Sequence, residues 1–283
     1  MQTITVWKAH ITAGKRGVQE LAFSPFEGTL DIATQVLPGG AFTTFRTYQV
    51  YKALYLKNHF QRLERSAQLS SVPLTLEQDA LRQALRALIA AQEPLERRVR
   101  VTLDLERQVG AVYFALEALQ TPDEASYQNG ARAVTCQMER QNAQAKLTSF
   151  IAQASKVRRT LPEGVNEALM INPQGQILEG LSSNFFVVRD GVIFTAGENV
   201  LQGITRLIVL DEIEKAGIPI NYAAIAAENI SQLDEAFITS SSRGILPVVQ
   251  IDRTRIGSGK PGPVTKKLMK KLEQRIQEEI EDI

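Results

Sequence analysis

This 283-residue chain has one cysteine, Cys136, and two histidines, His10 and His59. A lone cysteine excludes an internal disulfide and any multi-cysteine metal centre. Two histidines exclude a histidine-rich metal site and leave a serine–histidine triad only two candidate bases, so no metal is expected. No apolar run approaches the roughly 18 residues of a membrane-spanning helix, and no membrane partner is expected. The first residues lack the continuous apolar stretch of a signal peptide, so the chain reads as cytoplasmic. Formal net charge is only +1, which gives no excess of one sign to attract nucleic acid. Against these absences stand 44% hydrophobic and 22% charged residues. That balance suits a folded protein with a substantial core, in one large domain or two modest ones.

Short period-two runs such as Thr3 to Trp7 and Ala41 to Phe45 predict half-buried strands. From about 56 to 70, and again from about 75 to 92, the spacing turns helical. Leu76, Leu81, Leu85, Leu88 and Ile89 share one face of the second stretch. Strands at Val99 to Leu105 and Ala111 to Ala118 make the first part α+β. The polar segment from Gln120 to Ser126 carries Pro122 and no periodicity, which predicts a linker. The expected division is a small domain over 1–119, a linker over 120–127 and a larger domain over 128–283. In the larger domain two hairpins are expected. One turns at Asn172 to Gly175 and the other at Asp190-Gly191. A helix from about Thr205 should stop at Gly217. A strand at Ala236 to Thr239 precedes Ser240-Ser241-Ser242. The last helix should carry Val264, Leu268, Leu272, Ile276 and Ile280 on one stripe.

Several features invite chemistry. Gly257-Ser258-Gly259-Lys260 has glycines and a lysine, but Pro261 follows where a phosphate loop needs Ser or Thr, so a surface turn is expected. Lys266, Lys267, Lys270 and Lys271 have no aromatic residue among them and read as a solvated helix face rather than a nucleic-acid contact. Arg98 and Arg100 alternate onto one face of a strand, where they meet either neighbouring glutamates such as Glu96 or Glu106, or a carboxylate ligand. Leu201-Gln202-Gly203-Ile204-Thr205-Arg206 has the form of a glycine-to-helix junction, whose free amides attract anions. The serine run at Ser240 to Ser242 is a second possible anion cradle.

Taken together, Glu179-Gly180-Leu181-Ser182-Ser183-Asn184, Asp190-Gly191, Leu201 to Arg206, Asp234 to Ser241 and Pro247-Val248 resemble the signature of the class IV aminotransferases. Gly40 to Arg46 and Asn58-His59-Phe60-Gln61-Arg62-Leu63 resemble the motifs of that family's first domain. The family comprises fold type IV enzymes of pyridoxal 5′-phosphate (PLP): branched-chain aminotransferases, D-amino-acid aminotransferases and aminodeoxychorismate lyases. The resemblance implies a two-domain α+β fold with PLP between the domains, and a homodimer. It implies that Lys146 holds the cofactor and moves the proton at the substrate Cα, while Glu179 pairs with the pyridine nitrogen. Arg62, the amides of Ile204 and Thr205, the Thr205 hydroxyl and Ser241 would hold the phosphate. Phe42, Arg98, Arg100 and Ser242 would face the substrate. Asn184 is expected to satisfy backbone groups, and His59, with no implied chemical role, to take helix-surface or packing duty.

The chain departs from its relatives on the substrate side. Ile151 and Leu37 stand where branched-chain enzymes carry tyrosines, and Leu103-Asp104-Leu105 offers no histidine for a D-amino-acid carboxylate trap. Arg107 to Ala111 does not match the lyase segment. The expected reaction is amino transfer between a branched or other apolar amino acid and a 2-oxo acid. Lyase chemistry, D-amino-acid transfer and a PLP-binding protein without turnover are the alternatives.

Overall fold

A computed structural model describes residues 3–12, 15–22 and 26–283; of Thr3, His10, Ile11, Thr12, Lys15, Arg16 and Phe26 only the backbone is described. Along the chain come β1 (Thr3–Thr12), β2 (Lys15–Glu20), β3 (Phe26–Glu27), α1 (Leu30–Gln35), β4 (Gly40–Tyr48) and β5 (Lys52–Leu54). Helices α2 (Leu56–Leu69) and α3 (Gln78–Ala90) precede β6 (Arg97–Asp104) and β7 (Val112–Ala118). Next are α4 (Glu124–Asn129), β8 (Ala131–Gln137), α5 (Ser149–Arg159), β9 (Glu167–Ile171) and β10 (Gln176–Gly180). Then follow β11 (Asn184–Arg189), β12 (Val192–Phe194), α6 (Ile204–Lys215), β13 (Ile220–Asn221) and β14 (Ile225–Ala226). The chain continues through β15 (Glu235–Ser240), β16 (Gly244–Ile251), β17 (Thr254–Arg255), α7 (Pro263–Glu279) and β18 (Ile280–Asp282). These elements form two compact units. The first gathers Met1–Gln120, Ala145–Ser155 and Glu278–Ile283; the second holds Thr121–Gln144 and Lys156–Gln277.

The first unit is an antiparallel sheet in the order β18-β5-β4-β6-β7-β1-β2, with β3 on β1. Its core follows the two periodicities of the sequence. Phe45, Val99, Val101 and Phe114 come from alternating strand positions and are fully buried. Phe60 and Leu63 on α2 and Leu81, Leu85 and Ile89 on α3 join them in one cluster. The apolar stripe read from the sequence between 75 and 92 is therefore the buried face of a helix.

The second unit has a ten-stranded sheet in the order β13-β12-β11-β15-β16-β8-β9-β10-β14, and β17 pairs with β16. An additional pairing of β10 with β11 closes six of these strands into a ring. That closure rests on a single register pair, Glu179 with Asn184. Both expected hairpins form, β9–β10 and β11–β12. Asp190 and Gly191 both have positive φ (52° and 75°), as a two-residue hairpin turn with right-handed strand twist requires. Helix α6 ends where Gly217 takes a φ of 63° and Ile218 N–H reaches back to the Ile213 carbonyl (3.1 Å).

Three readings need adjustment or gain detail. Ile280 does not extend the last helix: it opens β18, which pairs antiparallel with β5. A helical stripe and a half-buried strand both accept an isoleucine there, and only the distant strand decides. On α7 itself Leu268 and Leu272 are buried while Val264 and Ile276 are half-buried; its four lysines are exposed. The segment read as a linker contains the short helix α4, started by Asp123, whose carboxylate accepts from Ser126 N–H (2.9 Å). Gly257 to Lys260 forms a turn, with Gly257 and Gly259 at positive φ.

Candidate active site

Lys146 belongs to the first unit, and its backbone runs antiparallel beside the start of β4. Phe42 N–H donates to the Lys146 carbonyl (2.9 Å) and Thr148 N–H to the Gly40 carbonyl (2.9 Å). The Thr148 hydroxyl accepts from Gly40 N–H (2.9 Å). From the other side Lys146 N–H donates to Ser66 Oγ on α2 (3.1 Å), whose hydroxyl donates to the Arg62 carbonyl (2.7 Å). A strand and a helix thus fix the base of the lysine side chain. Its Nζ lies 4.7 Å from the centre of the buried Phe42 ring, a cation–π distance.

Arg62 is one turn before Ser66 on α2. It donates through Nη2 to the Thr43 hydroxyl (2.7 Å), which lies 2.7 Å from His59 Nδ1. Arg62 Nη2 also lies 3.4 Å from His59 Nδ1, and a guanidinium only donates, so Nδ1 is the acceptor and the Thr43 hydroxyl donates to it. His59 is buried beside Phe45. Burial first, and then the charges of Arg62 and Lys146, hold its pKa well below the usual histidine value, so the ring is neutral. Of the two duties expected of it, helix surface or packing, His59 takes packing, and it also supports the threonine that meets Arg62.

Arg98 and Arg100 each have an acidic partner within the first unit. Arg98 Nη1 donates to Glu117 (2.8 Å). Arg100, 4% exposed, pairs with Asp31 (2.9 Å) and donates to the hydroxyls of Thr34 (2.8 Å) and Thr44 (3.2 Å). Burial lowers its pKa to about 10, against the opposing pull of Asp31. The glutamates near them in sequence go elsewhere: Glu96 pairs with Arg46, and Glu106 accepts from Gly39 N–H.

The remaining candidates lie in the second unit. Glu179 lies within the buried run of β10 and is 2% exposed. Its Oε1 is 3.1 Å from Arg140 Nε, and its Oε2 accepts from Asn184 Nδ2 (3.0 Å) and Leu201 N–H (3.1 Å). Asn184 also donates to the Leu201 carbonyl (2.7 Å), so it satisfies backbone as expected and steadies Glu179 as well. Gly203 caps α6 in extended conformation. A Cβ there would come within 2.3 Å of Asn184 Oδ1, so only glycine lets the helix start this close to the acid's partner. Ile204 and Thr205 are buried at the first turn, whose amides have no intrahelical acceptor and point out along the helix dipole. Arg206 braces the approach by donating to the Ala196 carbonyl (2.9 Å) and Gln202 (2.8 Å). Ser241 and Ser242 sit half-buried in the turn between β15 and β16.

The structure therefore gathers Phe42, Arg62, Arg98, Arg100 and Lys146 on one unit, and Glu179, Ile204, Thr205, Ser241 and Ser242 on the other. Sequence reasoning missed Thr43, Ser66 and Arg140, and also a buried Glu167–Arg243 pair (2.6 Å). One signal was available for the last: Glu167 opens the otherwise apolar stretch Ala168-Leu169-Met170-Ile171. A charge in a buried strand requires a partner.

A family model described as amino-transferase class IV matches residues 40–251. The chain belongs to this family. It is a PLP-dependent aminotransferase of fold type IV. The branched-chain-amino-acid aminotransferase of Pseudomonas aeruginosa is 26% identical to it over 251 residues, covering 82% of each chain. The D-alanine aminotransferase of Bacillus licheniformis is 28% identical over 250 residues, covering 82% of this chain and 87% of its own. Among solved structures, a protein of Thermotoga maritima assigned as a branched-chain amino acid aminotransferase superposes with a TM-score of 0.79 at 25% identity. That match covers 97% of this class IV chain and 96% of the other.

Proposed function

We propose that this aminotransferase moves an amino group between an apolar amino acid, branched-chain ones first, and a 2-oxo acid, with PLP held by the two residue groups described above. The observation that carries the reading is the fixed, buried Glu179 carboxylate beside the open first turn of α6. An acceptor set next to an anion-binding helix end suits a ring that carries a nitrogen at one side and a phosphate at another. The residues present fit that group. Glu179 offers an acceptor for a pyridine N–H; Ile204, Thr205 and Ser241 offer donors for a phosphate, and Arg62 offers a cation. Lys146 offers the amine. When bound, the cofactor supplies an electron sink for the carbanion at the substrate Cα.

The chain's own residues do the rest. Lys146 holds the cofactor and carries the proton to and from Cα. Glu179, braced by Arg140 and Asn184, keeps a proton on the ring nitrogen. Thr43 and His59 hold the guanidinium of Arg62, the cation offered to the phosphate. Phe42 and Ser242, with Arg98 and Arg100 as candidates already paired with carboxylates, face the substrate. The apolar preference draws support from Leu37, Phe42 and Ile151, all buried, and from the activity named for the Pseudomonas relative. A homodimer, a cytoplasmic setting and a domain division with a linker at 120–127 complete the proposal. No helix among the described residues is long and apolar enough to cross a membrane.

The test is direct. The purified protein should be yellow, borohydride should fix the cofactor to Lys146, and L-leucine with 2-oxoglutarate should yield glutamate. Peptide mapping that places the adduct on Lys156 or Lys260 would refute the lysine assignment. Pyruvate released from aminodeoxychorismate, with no amino transfer, would identify a lyase. Turnover of D-alanine in place of L-leucine would reverse the substrate's hand.

A further inference from the structure

Glu167 has no part in the chemistry above, yet it is a carboxylate at 2% exposure at the head of β9, a strand buried throughout. Such a group persists only when its charge is paired and its oxygens are hydrogen-bonded. Its Oε2 accepts from Arg243 Nη2 (2.6 Å), Ser182 Oγ (2.9 Å) and Ser183 Oγ (2.9 Å). Burial alone would raise its pKa, but the charge and hydrogen bond of Arg243 and the hydroxyl of Ser183 hold it below the usual glutamate value. Gly180, the residue after Glu179, permits this approach: a Cβ there would lie 2.3 Å from Ser183 Oγ and 2.8 Å from Glu167 Cγ.

Arg243 engages partners through all three nitrogens of its fork, besides Glu167. Nε donates to Ser240 Oγ (3.2 Å), Nη1 to the Asn166 carbonyl (3.3 Å), and Nη2 also to Ser182 Oγ (3.1 Å). Its own carbonyl accepts from the Tyr127 hydroxyl on α4 (2.8 Å). The turn that carries Ser241 and Ser242 is thereby gripped on both sides, through Ser240 and through Arg243. The same guanidinium is tied to the bend that follows Glu179.

We propose that Arg243, seated on Glu167, is a positioning residue that sets the Ser241–Ser242 turn for its anionic ligands and keeps it in register with the strand bearing Glu179. This rests on the cofactor reading above. A purely structural ion pair would serve as well with a lysine, because a point charge neutralises Glu167. The planar fork that reaches Ser240, Asn166 and Ser182 at once is what a lysine lacks.

The experiment compares Arg243→Lys, Arg243→Met and Tyr127→Phe with the wild-type holoenzyme. Four quantities are read: melting temperature, PLP dissociation constant of the resolved apoenzyme, KM and kcat for L-leucine, and hydrogen exchange in peptides spanning 239–246. Arg243→Lys should melt close to wild type. Its PLP dissociation constant and KM should each rise about 10-fold, since small misplacement of a binding group is costly, while kcat falls much less. Exchange at 239–246 should quicken in Arg243→Lys and, to a lesser degree, in Tyr127→Phe. If Arg243→Met fails to fold, these two variants carry the test. Wild-type PLP affinity, KM and exchange in Arg243→Lys would overturn the proposal. Failure of the wild-type protein itself to bind PLP would overturn the cofactor reading instead, and the exchange comparison would still decide whether the clamp exists.

Discussion

At the scale of single residues, Glu179 is a buried carboxylate with a neighbour at each oxygen. Its partners are an arginine, an amide side chain and a backbone N–H, on two oxygens. Glu179→Gln keeps the size and loses the charge. PLP should stay bound, while turnover of L-leucine falls at least about 100-fold, as for other losses of preorganised charge stabilisation. Cofactor content and kcat measured on one preparation separate the two effects, and near-normal kcat would mean that another group serves the ring nitrogen.

His59 makes a different residue-scale prediction. Its folded pKa lies below the ordinary value of 6.5, so the unfolded chain binds a proton that the folded chain refuses. The stability from this group is complete above about pH 6.5 and falls as pH drops below it, by at most about 1.4 kcal/mol per pH unit, until the folded pKa is reached. Chemical denaturation between pH 7 and 5 should show this loss in wild type and a flatter profile in His59→Gln. An equal slope in both would place the acid sensitivity elsewhere. The histidine was legible in the sequence as a helix-surface or packing residue; its link to Arg62 through Thr43 was not, because Thr43 comes from another element.

At the scale of elements, Arg100 couples helix α1 to the sheet. It leaves β6 to meet Asp31 and Thr34 on α1 and Thr44 on β4. Removing one partner of a buried pair strands the other, so Arg100→Leu should cost about 3 kcal/mol. A fall in melting temperature with turnover per folded molecule retained would make Arg100 structural. Unchanged melting with a raised KM would return it to the substrate. The sequence left that choice open because alternation shows which face an arginine occupies but not what crosses over to meet it. Legibility in general followed range. The α3 stripe, the Asp190-Gly191 turn and the Gly217 stop are local and read directly, whereas β18 depends on a strand from the far end of the chain. Arg140 and Arg243 escaped for the same reason: a buried ion pair is a fact of tertiary adjacency, and neither arginine sits in a local pattern. The cofactor residues were legible only jointly, since a glycine before a helix or a lone lysine means little until several stand in one order.

At the scale of the whole molecule, the first unit draws on three stretches of chain, and the last of them is short. Ile280 to Asp282 pair with β5, Ile283 is buried, and its N–H donates to the Tyr51 carbonyl (2.9 Å). Glu281 accepts from Leu56 N–H at the start of α2 (2.9 Å) and from Arg82 on α3 (3.0 Å). A chain ending at Glu279 should therefore melt lower than the full chain, with exchange in residues 52–56 and on α2 accelerated. Unchanged protection there would show that the final strand is decorative.

That strand also bears on how the protein is made. On the ribosome, every other strand of the first sheet leaves the exit tunnel before residues 280–282 do. Until they emerge, the β5 edge has exposed backbone and the amide at the head of α2 lacks its carboxylate. Synthesis that stalls before that point leaves that edge open, a surface that chaperones and proteases can engage, so the sheet that anchors Lys146 is finished only when translation has passed residue 282.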